Sequence, residues 1–136
     1  GFVGEPAMTF MAATVVADAG LGWLQVGSQR LRVPGGLPGP LRQRAGMVVT
    51  LGARPDMVQA RCGEDPVDLC LDGVAGEVRR LGPHDLVEGS LPQGSWMATF
   101  PAGSGLHRGD RVSVTVAVRR LSVFDPVDGT AVWHGD

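Results

Sequence analysis

The chain has 136 residues, a net charge of −2, and 43% hydrophobic against 19% charged residues. This length suits one domain, and the composition is that of a globular protein. The slight negative charge gives no electrostatic basis for a nucleic-acid partner. No apolar run approaches the ~20 residues of a membrane helix, and no signal peptide opens the chain, so we expect no direct membrane insertion.

Turn-forming residues are abundant: 21 glycines and 10 prolines separate short runs rich in valine and leucine. That pattern is typical of an all-β domain. Lysine, asparagine, isoleucine and tyrosine are absent from the chain. Because all four have AT-rich codons, a GC-rich genome explains why every basic residue is arginine, without selection for anion contacts.

The clearest predicted element is a strand over residues 111–121. Valines at 112, 114, 116 and 118 alternate there with Ser113, Thr115 and Ala117, which predicts a buried valine face and an exposed opposite face. A tight turn is predicted at residues 19–21, a loop at 34–40, and a helical turn only at 57–61 or near Phe10. Further strands are predicted at 14–18, 22–28, 30–33, 47–51, 67–71, 73–81, 85–91 and 95–100, a spacing that indicates a barrel or a sandwich.

Catalytic machinery is not visible in the sequence. A nucleotide-binding P-loop needs a lysine, and the chain has none. Histidines 84, 107 and 134 are too far apart for a helical zinc pair, and we expect surface positions for them. Cys62 and Cys70 do not have metal-site spacing, and we expect reduced thiols there. Trp23, Trp96 and Trp133 lack a neighbouring basic stripe, which favours packing roles. We therefore predict neither an enzyme active site nor a bound cofactor or metal.

Four segments, in order along the chain, resemble motifs of one family. GFVGEPAMTF at residues 1–10 is similar to GFIGxPxMNF, and LGARPD at 51–56 to LGIRPE. GEV with LG at 76–82 is similar to the GxV…LG element, and VFDPVDG at 123–129 to the terminal LFD…TG signature. The chain thus resembles the C-terminal regulatory domain of maltose-type ABC importer ATP-binding subunits. Segments 83–85 and 102–107 depart from the family pattern.

This resemblance implies an all-β, OB-fold-like barrel of short antiparallel strands with a small β appendage, formed by residues 1–136 as one domain. It implies that a nucleotide-binding domain, which holds ATP and Mg²⁺, precedes Gly1 in the full protein. The expected function is regulation and dimerisation of the ATP-binding subunit of an importer for carbohydrate or a related solute.

The partners implied by the resemblance are a second copy of the subunit, the membrane permease subunits through the nucleotide-binding domain, and a regulatory protein. The implied location is cytoplasmic, peripheral to the inner face of the cell membrane. The motif positions without a catalytic explanation are our candidate interface: Arg54, Pro55, Asp56, Phe124, Asp125 and Gly129.

The alternative hypothesis is a small-ligand module, because related transport-associated barrels bind oxyanions such as molybdate. An oxyanion site needs several hydroxyl or backbone donors that converge. Ser90, Ser95 and Thr99 are available for this role, but they form no dense cluster in the sequence.

Overall fold

The structure is a computed structural model that describes residues 9–54, 68–91 and 94–134. Most of this part of the chain is β-structure, with a short helix and one 3-10 turn. The elements are β1 (Thr9–Asp18), β2 (Leu21–Val26), β3 (Gln29–Val33), α1 (Gly39–Arg42), β4 (Val48–Ala53), β5 (Asp68–Arg80), β6 (His84–Leu91), β7 (Gly94–Pro101), β8 (Arg111–Ala117), the 3-10 turn (Val118–Arg120), β9 (Ser122–Phe124) and β10 (Ala131–His134).

The strands form two antiparallel sheets. One has the order β10-β9-β4-β1-β2-β3, and the other has the order β7-β6-β5-β8. The side chain of Thr9 links the sheets, because its hydroxyl oxygen accepts a hydrogen bond of 2.7 Å from the backbone N–H of Met97 on β7. The predicted all-β class is confirmed. In the described ranges, no helix is long and apolar enough to cross a membrane.

One core cluster includes residues of both sheets. Its origin is the alternation of the strands: along β1, Met11, Ala13 and Val15 are buried, while the residues between them point outward. Trp96 and Val87 contribute from the four-stranded sheet and are essentially inaccessible to solvent. Burial of each large apolar side chain stabilises the fold by about 1.5–3 kcal/mol.

The predicted loop over residues 34–40 is wrong at its end, because α1 begins at Gly39. Proline is compatible with the first turn of a helix, where its missing N–H has no intrahelical acceptor, so Pro40 does not prevent the helix. The helix buries Leu41 completely. Leu37, which precedes the helix, packs against Gly22 of β2. A larger residue at position 22 would collide with the Leu37 side chain.

Three further predictions are corrected. The helical turn near Phe10 is wrong, because Phe10 lies in β1; residues 57–61 lie outside the described residues. The separate strands at 67–71 and 73–81 are one strand, β5, whose pairing with β6 shifts register between Ala75 and Val78. The short strands β9 and β10 were not predicted, because each is at most four residues long.

The strand predicted over 111–121 ends at Ala117, where the 3-10 turn begins. Val112, Val116 and Val118 are buried as predicted, and the side chain of Val114 lies outside the described set. The opposite face is not uniformly exposed, however, since Thr115 is only 5% accessible. Its hydroxyl has no hydrogen-bond partner among the described residues. Both faces of β8 are therefore covered at this point.

Asp85 attaches the loop between β7 and β8 to the β5–β6 turn. Its carboxylate is buried, accepts a hydrogen bond of 2.8 Å from the Ser104 hydroxyl, and pairs with the Arg80 guanidinium at 2.6 Å. The hydrogen bond from Ser104, assisted by Arg80, lowers the pKa of Asp85. Asp85 lies in segment 83–85 and Ser104 in segment 102–107, the two segments that depart from the family pattern. These two segments therefore contact each other.

Trp96 is accommodated by the absence of a side chain at Gly89, its partner on β6. A Cβ atom built on Gly89 would lie 2.1 Å from the indole ring of Trp96. No real Cβ approaches another atom so closely, and a buried indole cannot move aside without disturbing the core.

We expect Gly89→Ala to destabilise the domain by about 1–3 kcal/mol through overpacking. The matched control is Gly39→Ala, because a Cβ there would meet nothing within 4 Å. Chemical denaturation of both variants measures the difference. Equal stabilities would contradict the packing described for Trp96.

A second expectation concerns Thr115. Thr115→Asp should destabilise the domain by about 3 kcal/mol or more, as Val116→Asp should, because either aspartate would be an unpaired buried charge. Thr115→Val should keep the melting temperature or raise it, because it replaces a buried hydroxyl, for which the described residues provide no hydrogen-bond partner, by a methyl group. A well-tolerated Thr115→Asp would show that this face is open.

Candidate interaction surface

Part of the candidate interface lies on the outer face of the six-stranded sheet and in the turn beside it. The pairing aligns residues of β1, β4, β9 and β10 in rows across the sheet. We call this surface the outer face, and its two central rows are Phe10, Gly52, Ser122 and His134, and Ala12, Thr50, Phe124 and Ala131.

Two aromatic rings meet on the outer face. Phe10 and Phe124 have ring centroids 5.9 Å apart and an interplanar angle of 71°, which is an edge-to-face contact. Phe10 pairs with Gly52 of β4, and Phe124 pairs with Thr50 of the same strand, so the rings reach towards each other over β4. Phe10 is nevertheless 53% exposed.

The β9–β10 turn is organised by Asp125. Its carboxylate accepts hydrogen bonds from the backbone N–H groups of Val127 (2.8 Å) and Asp128 (3.0 Å), which is the pattern of an Asx turn. The guanidinium of Arg44, from the segment after α1, pairs with the same carboxylate at 2.7 Å. The N–H of Asp128, followed by the Arg44 guanidinium, lowers the pKa of Asp125 from 3.8 to about 2.

The turn and the aromatic rings enclose an open groove of about 430 Å³. Val127 stands at the tip of the turn and is 93% exposed. Val48, in the next row of β4, is also more than half exposed. The groove is lined by Phe10, Thr50, Phe124, Asp125, Pro126, Val127, Asp128 and Gly129.

Arg54 does not lie beside this turn. β4 and β9 are antiparallel, with Thr50 opposite Phe124, so Arg54 follows the other end of the pair. At about 3.3 Å per residue, four residues of extended chain separate Arg54 from Thr50 by roughly 13 Å. The structure thus groups three of the candidate residues, Phe124, Asp125 and Gly129, and places exposed Arg54 apart from them. Pro55 and Asp56 lie outside the described residues.

Arginine is concentrated at the Arg54 end of the outer face. Arg119 and Arg120, both exposed, lie in the 3-10 turn directly before β9. The opposite end is acidic, since Asp128 is exposed beside the ion-paired Asp125. The outer face therefore has a basic end, an aromatic centre and an acidic end.

No group of histidine, cysteine, aspartate or glutamate side chains that could hold a metal ion is found among the described residues. His134 hydrogen-bonds the Ser122 hydroxyl through Nδ1 at 2.8 Å, on the outer face. His84 and His107 are exposed, as expected from the sequence. Of the tryptophans, Trp96 is buried and Trp23 and Trp133 are half-buried. Cys62, and the side chain of Cys70, fall outside the described set.

The hydroxyl residues considered for oxyanion binding do not converge. Ser90 and Ser95 face each other across β6 and β7, and Thr99 pairs with Leu86, four residues from Ser95 along β7. Ser90 instead borders a separate groove of about 440 Å³ on the four-stranded sheet. We call it the sheet groove, and its lining residues are Asp72, Gly73, Val74, Ser90, Arg111, Val112 and Ser113.

Comparison with known proteins identifies relatives of this chain. No protein-family model matches the chain. A curated relative from Cereibacter sphaeroides, named sn-glycerol-3-phosphate import ATP-binding protein UgpC, is 30% identical over 131 residues, which are 95% of this chain and 33% of the relative. The protein of the same name from Vibrio vulnificus is 31% identical over 128 residues, which are 91% of this chain and 31% of the relative. The chain thus spans about a third of these relatives.

A solved structure shares the fold. The molybdate-bound crystal structure of the cytoplasmic molybdate-binding protein ModG superimposes with a TM-score of 0.66 at 15% identity, and covers 87% of this chain and 96% of that chain. At this identity the likeness concerns the fold alone. The predicted OB-fold-like barrel is confirmed.

We expect Asp125→Asn to lower the melting temperature at neutral pH, because the ion pair with Arg44 is lost while the Asx turn can persist. The folded-state pKa of about 2 lies below the unfolded value of about 3.9, so the stabilisation is complete above the unfolded pKa and is lost as pH falls towards 2. The melting temperatures of the wild-type chain and of Asp125→Asn should therefore approach each other as the pH is lowered from neutral to 2. Asp18→Asn, at a surface ion pair with Arg30, should change little. A pH-independent difference for Asp125→Asn would contradict this electrostatic origin.

Proposed function

We propose that this chain regulates the ATP-binding subunit of an ABC importer and helps it to dimerise. The proposal is based on the homology of the chain to such subunits and on the transport-associated OB-like fold of their C-terminal regulatory domain. The observation that carries this proposal is the outer face, where the half-exposed ring of Phe10 contacts the half-buried ring of Phe124. An exposed aromatic patch of this kind is suited to contacts between proteins.

The proposal extends to the intact subunit. A nucleotide-binding domain outside this chain would bind ATP and Mg²⁺ and contact the permease subunits. The complex would then lie on the cytoplasmic face of the cell membrane. Because the relatives named above import sn-glycerol 3-phosphate, we propose a carbohydrate or a related polyol derivative as the transported solute.

For the outer face we propose a second copy of the subunit as the partner. The supporting feature is the distribution of charge. When two copies pack face to face about a twofold axis, the basic end at Arg54 of one copy meets the acidic end at Asp128 of the other, over the aromatic centre. We propose a weak contact of the kind that buries less than about 1,200 Å², which would become stable only when the nucleotide-binding domains also associate.

The test belongs in the full-length subunit. Arg54→Glu and Asp128→Arg should each weaken dimerisation by about tenfold or less, as expected for exposed charges, and the double variant should recover it. Light scattering gives the oligomeric state, and the ratio of ATP hydrolysis to transport gives the coupling. Arg30→Glu is the control, because Arg30 lies on β3, at the far edge of the same sheet.

Other outcomes distinguish the alternatives. If the variants dimerise normally but lose their response to a regulatory protein, the outer face binds that regulator instead. If assembly, coupling and regulation are all unchanged while the domain stays folded, the outer face is not an interface.

A further inference from the structure

The sheet groove lies on the solvent-exposed side of the four-stranded sheet. β5 runs between β6 and β8, and Val74 pairs with Ser90 on one side and with Arg111 on the other. Adjacent strands are about 4.8 Å apart, so these two polar residues flank an apolar floor at roughly 10 Å from each other. Val74 is 44% exposed, which leaves that floor open to solvent.

The polar groups of the groove have complementary bonding capacity. Arg111 and Ser90 are exposed, and in the described ranges neither side chain has an ion-pair or hydrogen-bond partner. Asp72, in contrast, accepts a hydrogen bond from the Ser113 hydroxyl. One carboxylate oxygen of Asp72 therefore has a partner, and the other remains available to a donor. The groove therefore offers one donor on each side of its apolar floor, and an acceptor two residues from Val74 along β5.

Backbone hydrogen bonds hold the main chain next to Arg111 in place without a bound ligand. Ala75 donates to the carbonyl of Asp110 at 2.8 Å, and Gly109 donates to the carbonyl of Ala75 at 2.8 Å. Arg111 itself pairs with Val74, and these bonds continue the contact between the two segments beyond Arg111. The glycine is required because its φ of 92° is unfavourable for other residues. A preformed position reduces the entropy that binding must overcome.

We propose that the sheet groove binds a small polyol that carries one oxyanion group, a phosphate or a carboxylate. The guanidinium of Arg111 donates charge-assisted hydrogen bonds to the oxyanion, and the Ser90 hydroxyl donates a further bond. Asp72 accepts from a neighbouring hydroxyl group of the ligand, and the carbon chain lies on Val74. The volume of about 440 Å³ is within the range of small-molecule sites.

The experiment uses this chain and four probes: glycerol 3-phosphate, glycerate, glycerol and inorganic phosphate. Calorimetry gives the affinity, and amide chemical shifts give the location. We expect saturable binding of at least one of the first two, with shifts confined to residues of the sheet groove. Inorganic phosphate should bind more weakly because it lacks the carbon chain, and glycerol should not bind. The ranking of glycerol 3-phosphate against glycerate identifies the oxyanion.

Matched variants test the residue roles. Arg111→Gln should raise the Kd by about tenfold, because it removes a charge-assisted pair, whereas Ser90→Ala should raise it by about threefold. Arg79→Gln is the control, because Arg79 is exposed and pairs with Glu77 outside the groove. No saturable binding of either anionic polyol, or equal binding by Arg111→Gln and the wild-type chain, would overturn the proposal. Neither result bears on the proposed function, which rests on the outer face.

Discussion

The burial of one face of each strand determines the rest of this structure. In β1 and β4, every second side chain enters a core that residues of the four-stranded sheet also line. The alternate residues of these two strands must then point away from the core, and most of them are partly or fully exposed. Phe10 and Val48 are exposed for this reason. A solvent-facing aromatic surface is thus a direct consequence of how the core is built.

Much of the fold could be predicted from the sequence, because alternation and turn residues are local signals. The β1–β2 turn, β3, β6 and β7 are close to their predicted bounds. What could not be predicted depends on distant residues. The cover over Thr115 is one example. The ion pair between Arg44 and Asp125 is another, because it joins positions 81 residues apart and supports two strands too short to show periodicity.

The candidate site illustrates the same limit. The resemblance to family motifs identified Arg54 and the segment from Phe124 to Gly129 as candidates. It gave no information about how far Arg54 lies from that segment. The antiparallel register of β4 and β9 puts them at opposite ends of the pair. Sequence reasoning missed Phe10 as a surface residue and Arg111 as a groove residue. Both are visible only once strand pairing decides which side chains are neighbours.

The β9–β10 hairpin has a consequence for dynamics. Its strands have three and four residues, it forms the edge of the sheet, and it joins the rest of the sheet only through β4. Such a unit is expected to open locally at a lower free energy than global unfolding, and its amide hydrogens should exchange earlier than those of β1. Since Phe124 leaves with the hairpin, opening would separate it from Phe10. The aromatic surface would therefore exist only in the fraction of molecules whose edge is closed, and a partner that binds it would also slow hydrogen exchange in the hairpin.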